Sequence, residues 1–83
     1  MDKLSIVAIR VDNRTHVAPK VQGVLTKYGE SIISRFGSHD PGEKDFGLIT
    51  LHVLSSEDAL NELSEELSAL DGVEVKTIKM RQK

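Results

Sequence analysis

Two segments of this 83-residue chain are apolar on both of their alternating faces, and any fold must satisfy both. In Leu4 to Val11, Leu4, Ile6 and Ala8 alternate with Val7, Ile9 and Val11. In Gly47 to Leu54, Ile49, Leu51 and Val53 form a wholly apolar face, and Leu48, Thr50, His52 and Leu54 a mixed one. A strand that is apolar on both sides belongs in the interior of a sheet with material packed above and below it. These two segments are therefore expected as neighbouring central strands.

The rest of the chain supplies their company. After Asp12-Asn13-Arg14-Thr15-His16, Val17, Val21, Val24, Leu25 and Tyr28 recur at helical spacing and make one apolar stripe. Asn13 or Thr15 is placed to cap this helix with a side-chain oxygen. Pro19 then falls in the first turn, where its missing N–H is harmless, and Gly29 suits the left-handed residue that closes the helix. Ser31 to Gly37 reads as a second strand, with Ile32, Ser34 and Phe36 on one face and Ile33 and Arg35 on the other. Asp40-Pro41-Gly42 signals a turn into the strand from Gly47. Ser55 or Ser56 caps a second helix carrying Ala59, Leu60, Leu63, Leu67 and Leu70. Asp71-Gly72 ends it, and Val73 to about Met80 is the last strand.

The order β-α-β-β-α-β is the split βαβ arrangement of ferredoxin-like α+β domains. Right-handed crossovers place both helices on one face of a four-stranded antiparallel sheet, with the first and third strands central. The whole chain, residues 1–83, is expected as a single domain whose last strand ends in a basic tail over 76–83. If Val7, Ile9, Val11, Ile49, Leu51 and Val53 face the helices, the other face shows Leu4, Ile6, Ala8, Leu48, Thr50, His52 and Leu54. That surface is too apolar to favour water on an ordinary monomer. A domain of this size buries only about 60–65% of its unfolded surface, so further burial by self-association would add to a small stability margin. Leu4, Ile6, Ala8, Leu48, Thr50 and His52 are accordingly the expected interface of a homo-oligomer, dimer or tetramer.

Composition removes several function classes. The absence of cysteine excludes disulfides, thiolate metal sites and a cysteine nucleophile. A formal charge of −2 does not favour direct nucleic-acid binding. The charges are segregated: Asp45 to Glu74 holds eight acids and no Lys or Arg, whereas Lys76 to Lys83 holds four bases and no acid. The apolar runs are far too short for a membrane span, and no apolar leader follows Met1, so a cytoplasmic location is expected.

Chemistry-bearing residues are sparse. His16, His39 and His52 show no metal-ligand spacing, so neither a metal nor another cofactor is expected. Val21-Gln22-Gly23-Val24 resembles the phosphate-loop core of acylphosphatases, which share this fold. Here it lies inside the first helix, about ten residues past the strand, and no arginine follows before Arg35. No catalytic residue is assigned, and an acylphosphatase-like enzyme, with Arg35 and Asn13 as the residues to test, is the least favoured reading. The first β–α turn, Asp12, Asn13, Arg14, Thr15 and His16, is the candidate small-ligand contact. It ends a central strand at a helix N-terminus, where free N–H groups and the helix dipole attract an anion, and Arg14 offers a bidentate partner.

Val11-Asp12-Asn13-Arg14 leading into a Val-rich helix, Ser34-Arg35-Phe36-Gly37 followed by His39-Asp40-Pro41-Gly42, Gly47-Leu48-Ile49-Thr50-Leu51, and Leu70-Asp71-Gly72-Val73-Glu74-Val75-Lys76 together carry a family resemblance over nearly the whole chain. The sequence resembles the ACT-like family linked to regulation of the iron-only ([FeFe]) hydrogenase system. The resemblance implies a fold related to ACT domains and to the C-terminal domain of nickel-responsive regulators. It also implies a regulatory or accessory role near hydrogenase maturation in anaerobic bacteria. ACT domains commonly bind amino acids at subunit interfaces near the first β–α turn, which carries an Asp-x-x-Gly pattern. Asp12 matches that pattern, but Thr15 stands where the glycine would be. The nickel regulators use clustered His and Cys, which this chain lacks. The expectation is a homo-oligomeric, ligand-sensing regulatory domain. The alternative is an accessory module that docks on a regulatory or maturation protein and binds no small ligand.

Overall fold

A computed structural model describes residues 2–39 and 45–81, with the side chain of His39 outside that description. The chain runs β1 (Lys3–Val11), α1 (Arg14–Lys27), a 3-10 turn (Gly29–Ser31), β2 (Ile32–His39), β3 (Gly47–Ser55), α2 (Glu57–Ser68) and β4 (Val73–Lys79). The strands form an antiparallel sheet in the order β2-β3-β1-β4, so the two doubly apolar strands are central, as their sequences require.

The assumed register of the faces holds. Val7, Ile9, Val11, Leu51 and Val53 are buried under the helices with Val21, Leu25, Leu60, Leu63 and Leu67. Cross-strand partners such as Val7 with Leu51 and Ile9 with Ile49 keep that layer continuous. Each such side chain taken from water contributes about 1.5–3 kcal/mol. Ser5, the polar residue that shares this face of β1, is also buried.

Four local expectations are corrected. First, α1 begins at Arg14, so Pro19 is its sixth residue and not part of its first turn. The early start is held from outside. Asp45, across the sheet end, accepts the Arg14 N–H through its carbonyl at 2.8 Å. Its carboxylate accepts the Thr15 N–H at 3.2 Å and the Thr15 hydroxyl at 3.0 Å. Second, Asn13 occupies the N-cap position in a left-handed conformation (φ 53°) but makes no side-chain cap bond, and Thr15 points its hydroxyl at Asp45. A side chain 30 residues away thus does the work expected of a local cap. Third, Gly29 does not close α1 in a left-handed turn. The Tyr28 N–H donates to Val24 and the Ser31 N–H to Tyr28, which tightens the chain into a 3-10 turn.

The fourth correction bears on the site. A β-bulge lies between Ile32 and Ser34, opposite Val53 and His52. Simple alternation placed Ile32 with Ser34 and Phe36. The extra residue, Ile33, shifts the alternation, so Ile32 packs on the core while Ser34 and Phe36 face away from it. The same shift points Arg35 and Gly37, paired with Leu51 and Ile49, toward the helices.

α2 follows expectation closely. The Ser56 hydroxyl accepts the Ala59 N–H at 3.1 Å, and Glu57 and Asp58 sit in the first turn, where the helix dipole favours negative charge. Gly72 (φ +80°) allows the chain to turn into β4. A Cβ there would stand 3.2 Å from the Asp12 carbonyl oxygen. Asp12 in turn donates its N–H to Gly72 at 2.7 Å, which ties the β1–α1 turn to the α2–β4 turn. Between the helices, Glu66 accepts hydrogen bonds from the Tyr28 hydroxyl and from Lys27 Nζ, the latter at 3.0 Å. These bonds hold the Glu66 carboxyl below its ordinary range, and the Glu66 bond together with neighbouring acids pushes the Tyr28 hydroxyl up to about 12. The Asp40-Pro41-Gly42 turn lies outside the described residues.

Candidate functional site

Three surfaces could carry function, and each follows from the local features above. The β1–α1 turn is the first. Its backbone donors are already engaged: Asp12 N–H by Gly72, Arg14 and Thr15 N–H by Asp45, and His16 and Val17 N–H by the Asn13 carbonyl. The Asp45 carboxylate occupies the position that an external anion would take at this helix start. The Asp12 carboxylate accepts from Arg10 Nε at 3.1 Å, and the Asn13 and His16 side chains are exposed. Of the five turn residues, Arg14 alone sends its side chain into a cavity.

That cavity is the second surface. It measures about 160 Å³ and lies between α1 and the ends of β2 and β3. Arg14, Gln22, Arg35 and Ser38 supply its polar lining, and Val11, Ala18 and Ile49 its apolar wall. Gly37 and Gly47 complete it. Arg14 reaches it because Gly47 has no side chain: a Cβ there would sit 2.9 Å from Arg14 Cδ. Arg14 Nε is sealed from water without a hydrogen-bond partner. Arg35 arrives on the helix side through the β2 bulge, and its guanidinium donates to the Gln22 side-chain oxygen at 2.9 Å. Among the described residues, neither arginine has a carboxylate partner. Sequence reasoning weighed Arg35 only for an enzyme and passed over Gln22. The Val21-Gln22-Gly23-Val24 stretch is helical, so it forms no phosphate loop, yet it delivers Gln22 to this cavity.

The open face of the sheet is the third surface. Leu4, Leu48 and Leu54 are exposed there, and Ile6, Ala8 and Thr50 are partly so. The edge strands extend it with Phe36, 72% exposed, and Ile78, 57% exposed, neither of which the sequence reading had included. Ile78 pairs with Ile6 and Phe36 with Thr50, which makes the surface continuous across all four strands. Nδ1 of His52 lies 2.9 Å from the Ser34 hydroxyl, a polar pair within this apolar field. The rim carries matched charges, Arg10 with Asp12 and Lys76 with Glu74.

The basic end of the chain is less free than its composition suggested. Lys79 forms an ion pair with Glu57 at the start of α2, which Lys3 also approaches at 3.9 Å, and these bonds hold the Glu57 carboxyl below its usual range. Lys83 lies outside the described residues. Among the described residues there is no group of three or more His, Asp or Glu side chains suited to a metal, and no helix long and apolar enough to cross a membrane.

Comparison with known proteins agrees with this architecture. A family model described as "Iron-only hydrogenase system regulator, putative" (TM1266-like) matches residues 3–77. Among solved structures, the uncharacterized protein TM1266 from Thermotoga maritima superposes with a TM-score of 0.90 at 27% identity, over 98% of this chain and 100% of that one. The ACT domain of GTP pyrophosphokinase from Chlorobium tepidum superposes with a TM-score of 0.77 at 19% identity, over 94% of this chain and 100% of that domain. The C-terminal domain of the MgtC protein from Mycobacterium tuberculosis gives 0.62 at 19% identity, over 94% and 87%. No curated protein matches.

Proposed function

This chain belongs to the TM1266-like family of iron-only hydrogenase system regulators, and from that premise we propose that it is a homo-oligomeric, ligand-sensing regulatory domain and not an enzyme. Its 83 residues work as one domain in the cytoplasm, in service of the iron-only hydrogenase system that the family description names. The observation that carries the oligomer is the open sheet face. Its apolar side chains extend across four strands, and both helices pack on the opposite face. The occupant that suits it is a second copy. A self-complementary apolar face with a charge-balanced rim fits a two-fold interface, and it offers little to a strongly acidic or basic partner. Leu4, Ile6, Ala8, Leu48 and Thr50 form the contact, with the His52–Ser34 pair fixing its polar register.

Sensing is assigned to the β1–α1 turn. Asp12, Asn13, Thr15 and His16 shape the turn, and Arg14 is the cationic contact that extends from it into the neighbouring cavity. The second reading, an accessory module that docks on another protein without a small ligand, is favoured by the exposed acidic side of α2. Size-exclusion chromatography with light scattering separates the two. The proposal expects a multimer at tens of micromolar, and a clean 9.2 kDa monomer would remove the interface.

A further inference from the structure

The cavity under α1 has a chemistry more specific than "small ligand". We propose that it binds a short-chain monocarboxylate lacking an ammonium group, with the carboxylate held between the Arg14 and Arg35 guanidiniums and the alkyl part against Val11, Ala18 and Ile49. This deepens the ligand-sensing reading and rests on it, but it needs only one protomer.

Size comes first. At about 160 Å³ the cavity lies below the roughly 300–1,000 Å³ of sites for drug-sized molecules, so it suits a molecule of a few heavy atoms. Charge comes second. Among the described residues, two arginines and no acid line the cavity, and neither arginine is paired with a carboxylate. The planar fork of a guanidinium matches a carboxylate through two parallel hydrogen bonds. Gln22 holds one fork in place through its 2.9 Å bond to Arg35. Arg14 is held by packing over Gly47, and its Nε has no acceptor in the protein. A buried donor left without a partner is destabilising, and a small movement of this side chain onto an arriving carboxylate relieves that cost. The apolar wall comes third. It suits a two- or three-carbon body and gives inorganic phosphate nothing to pack. With no acid among the described lining residues, an α-ammonium would enter without a counter-charge there, at a desolvation cost that the matched carboxylate avoids.

The test uses matched pairs on the full-length protein. Isobutyrate against 2-aminoisobutyrate, and propionate against alanine, differ only by the ammonium group, and inorganic phosphate is the third arm. Calorimetric titration is expected to show saturable isobutyrate binding at least tenfold tighter than 2-aminoisobutyrate or phosphate. Arg35→Ala should weaken it at least tenfold. Gly47→Ala, whose new Cβ displaces Arg14, should weaken it severalfold. Gly37→Ala should also weaken it, by filling the cavity. Its Cβ would meet only Ile49 Cγ1, at 4.0 Å, so this variant keeps its fold if either of the others loses it. Absence of saturable isobutyrate binding, equal binding of 2-aminoisobutyrate, tighter binding of phosphate, or affinity unchanged in Arg35→Ala and Gly37→Ala would each overturn the proposal. Light scattering on the same samples keeps the two readings apart. A multimer that ignores isobutyrate loses only this inference, whereas a monomer that binds it loses only the interface.

Discussion

The two faces of the sheet carry the same kinds of residue and have different fates. On the helix side, Leu51 and Val53 are fully buried. On the other side, Leu48 and Leu54 of the same strand stand 46% and 41% exposed. Hydropathy alone cannot tell these positions apart. What separates them is that the chain carries two helices and both crossovers place them on one side. Stability of the inner face is therefore an intramolecular property. Stability of the outer face depends on whatever meets it, and for a second copy that makes it depend on concentration.

The largest test of that contrast is a truncation in each layer. Leu51→Ala should cost about 2–5 kcal/mol in urea unfolding, because it leaves a cavity under both helices. Leu48→Ala should stay within about 0.5 kcal/mol in dilute solution, where the residue already meets water. Equal costs would mean that the open face is covered within the protomer, and the contrast would collapse. A charge on the outer face sharpens it further. Leu48→Lys should leave the fold intact and abolish self-association. It should also remove the rise of melting temperature with protein concentration, a contribution worth about 2.7 kcal/mol at a hundredfold excess over the dissociation constant. A melting temperature that already ignores concentration in the unmodified protein would break the comparison from the other side.

A smaller effect separates the two helix starts. Ser56→Ala and Asp45→Ala each remove cap bonds and should each cost about 1 kcal/mol. Ser56→Ala frays α2 alone. Asp45→Ala also frees the Thr15 donors of the β1–α1 turn, so amide exchange should accelerate at Thr15, while the Arg14 N–H keeps its bond to the backbone carbonyl of residue 45. Exchange confined to the β3 start would show that Asp45 does not hold α1.

These cases also mark how far the residues could be read in advance. The central strands, the two apolar helix stripes and the Ser56 cap were legible because each depends on periodicity or on a neighbour within a few residues. The Asp45 cap was not, because its partner lies 30 positions away and becomes adjacent only when β1 and β3 pair. The cavity was hidden for a related reason. Strict alternation along β2 grouped Arg35 with Ile33, and Ile32 with Ser34 and Phe36. The bulge at Ile33 instead brings Ile32 and Arg35 to the core side together. Gly47, which reads as an ordinary strand glycine, turns out to make the space for Arg14, and Gly37 lines the cavity beside it.

The smallest expected effect belongs to a clamp that exists on the covered face and has no counterpart on the open one. Glu66 on α2 accepts from Tyr28 and Lys27 at the end of α1. Because the folded Glu66 carboxyl lies below its ordinary range, its contribution is present above the usual glutamate value of about 4.3 and fades as pH falls through the folded value. The Tyr28 hydroxyl, pushed up to about 12, behaves oppositely. Its contribution is complete below the ordinary value of about 10 and is lost as pH rises through 12. Tyr28 is the single tyrosine and there is no tryptophan, so alkaline difference absorbance reports on it alone. In Glu66→Ala the titration midpoint should drop from about 12 toward 10, with little change in melting temperature at neutral pH, since the pair is largely exposed. A midpoint already near 10 in the unmodified protein would mean that the helices are not clamped to each other, and that packing on the sheet alone holds the covered layer in place.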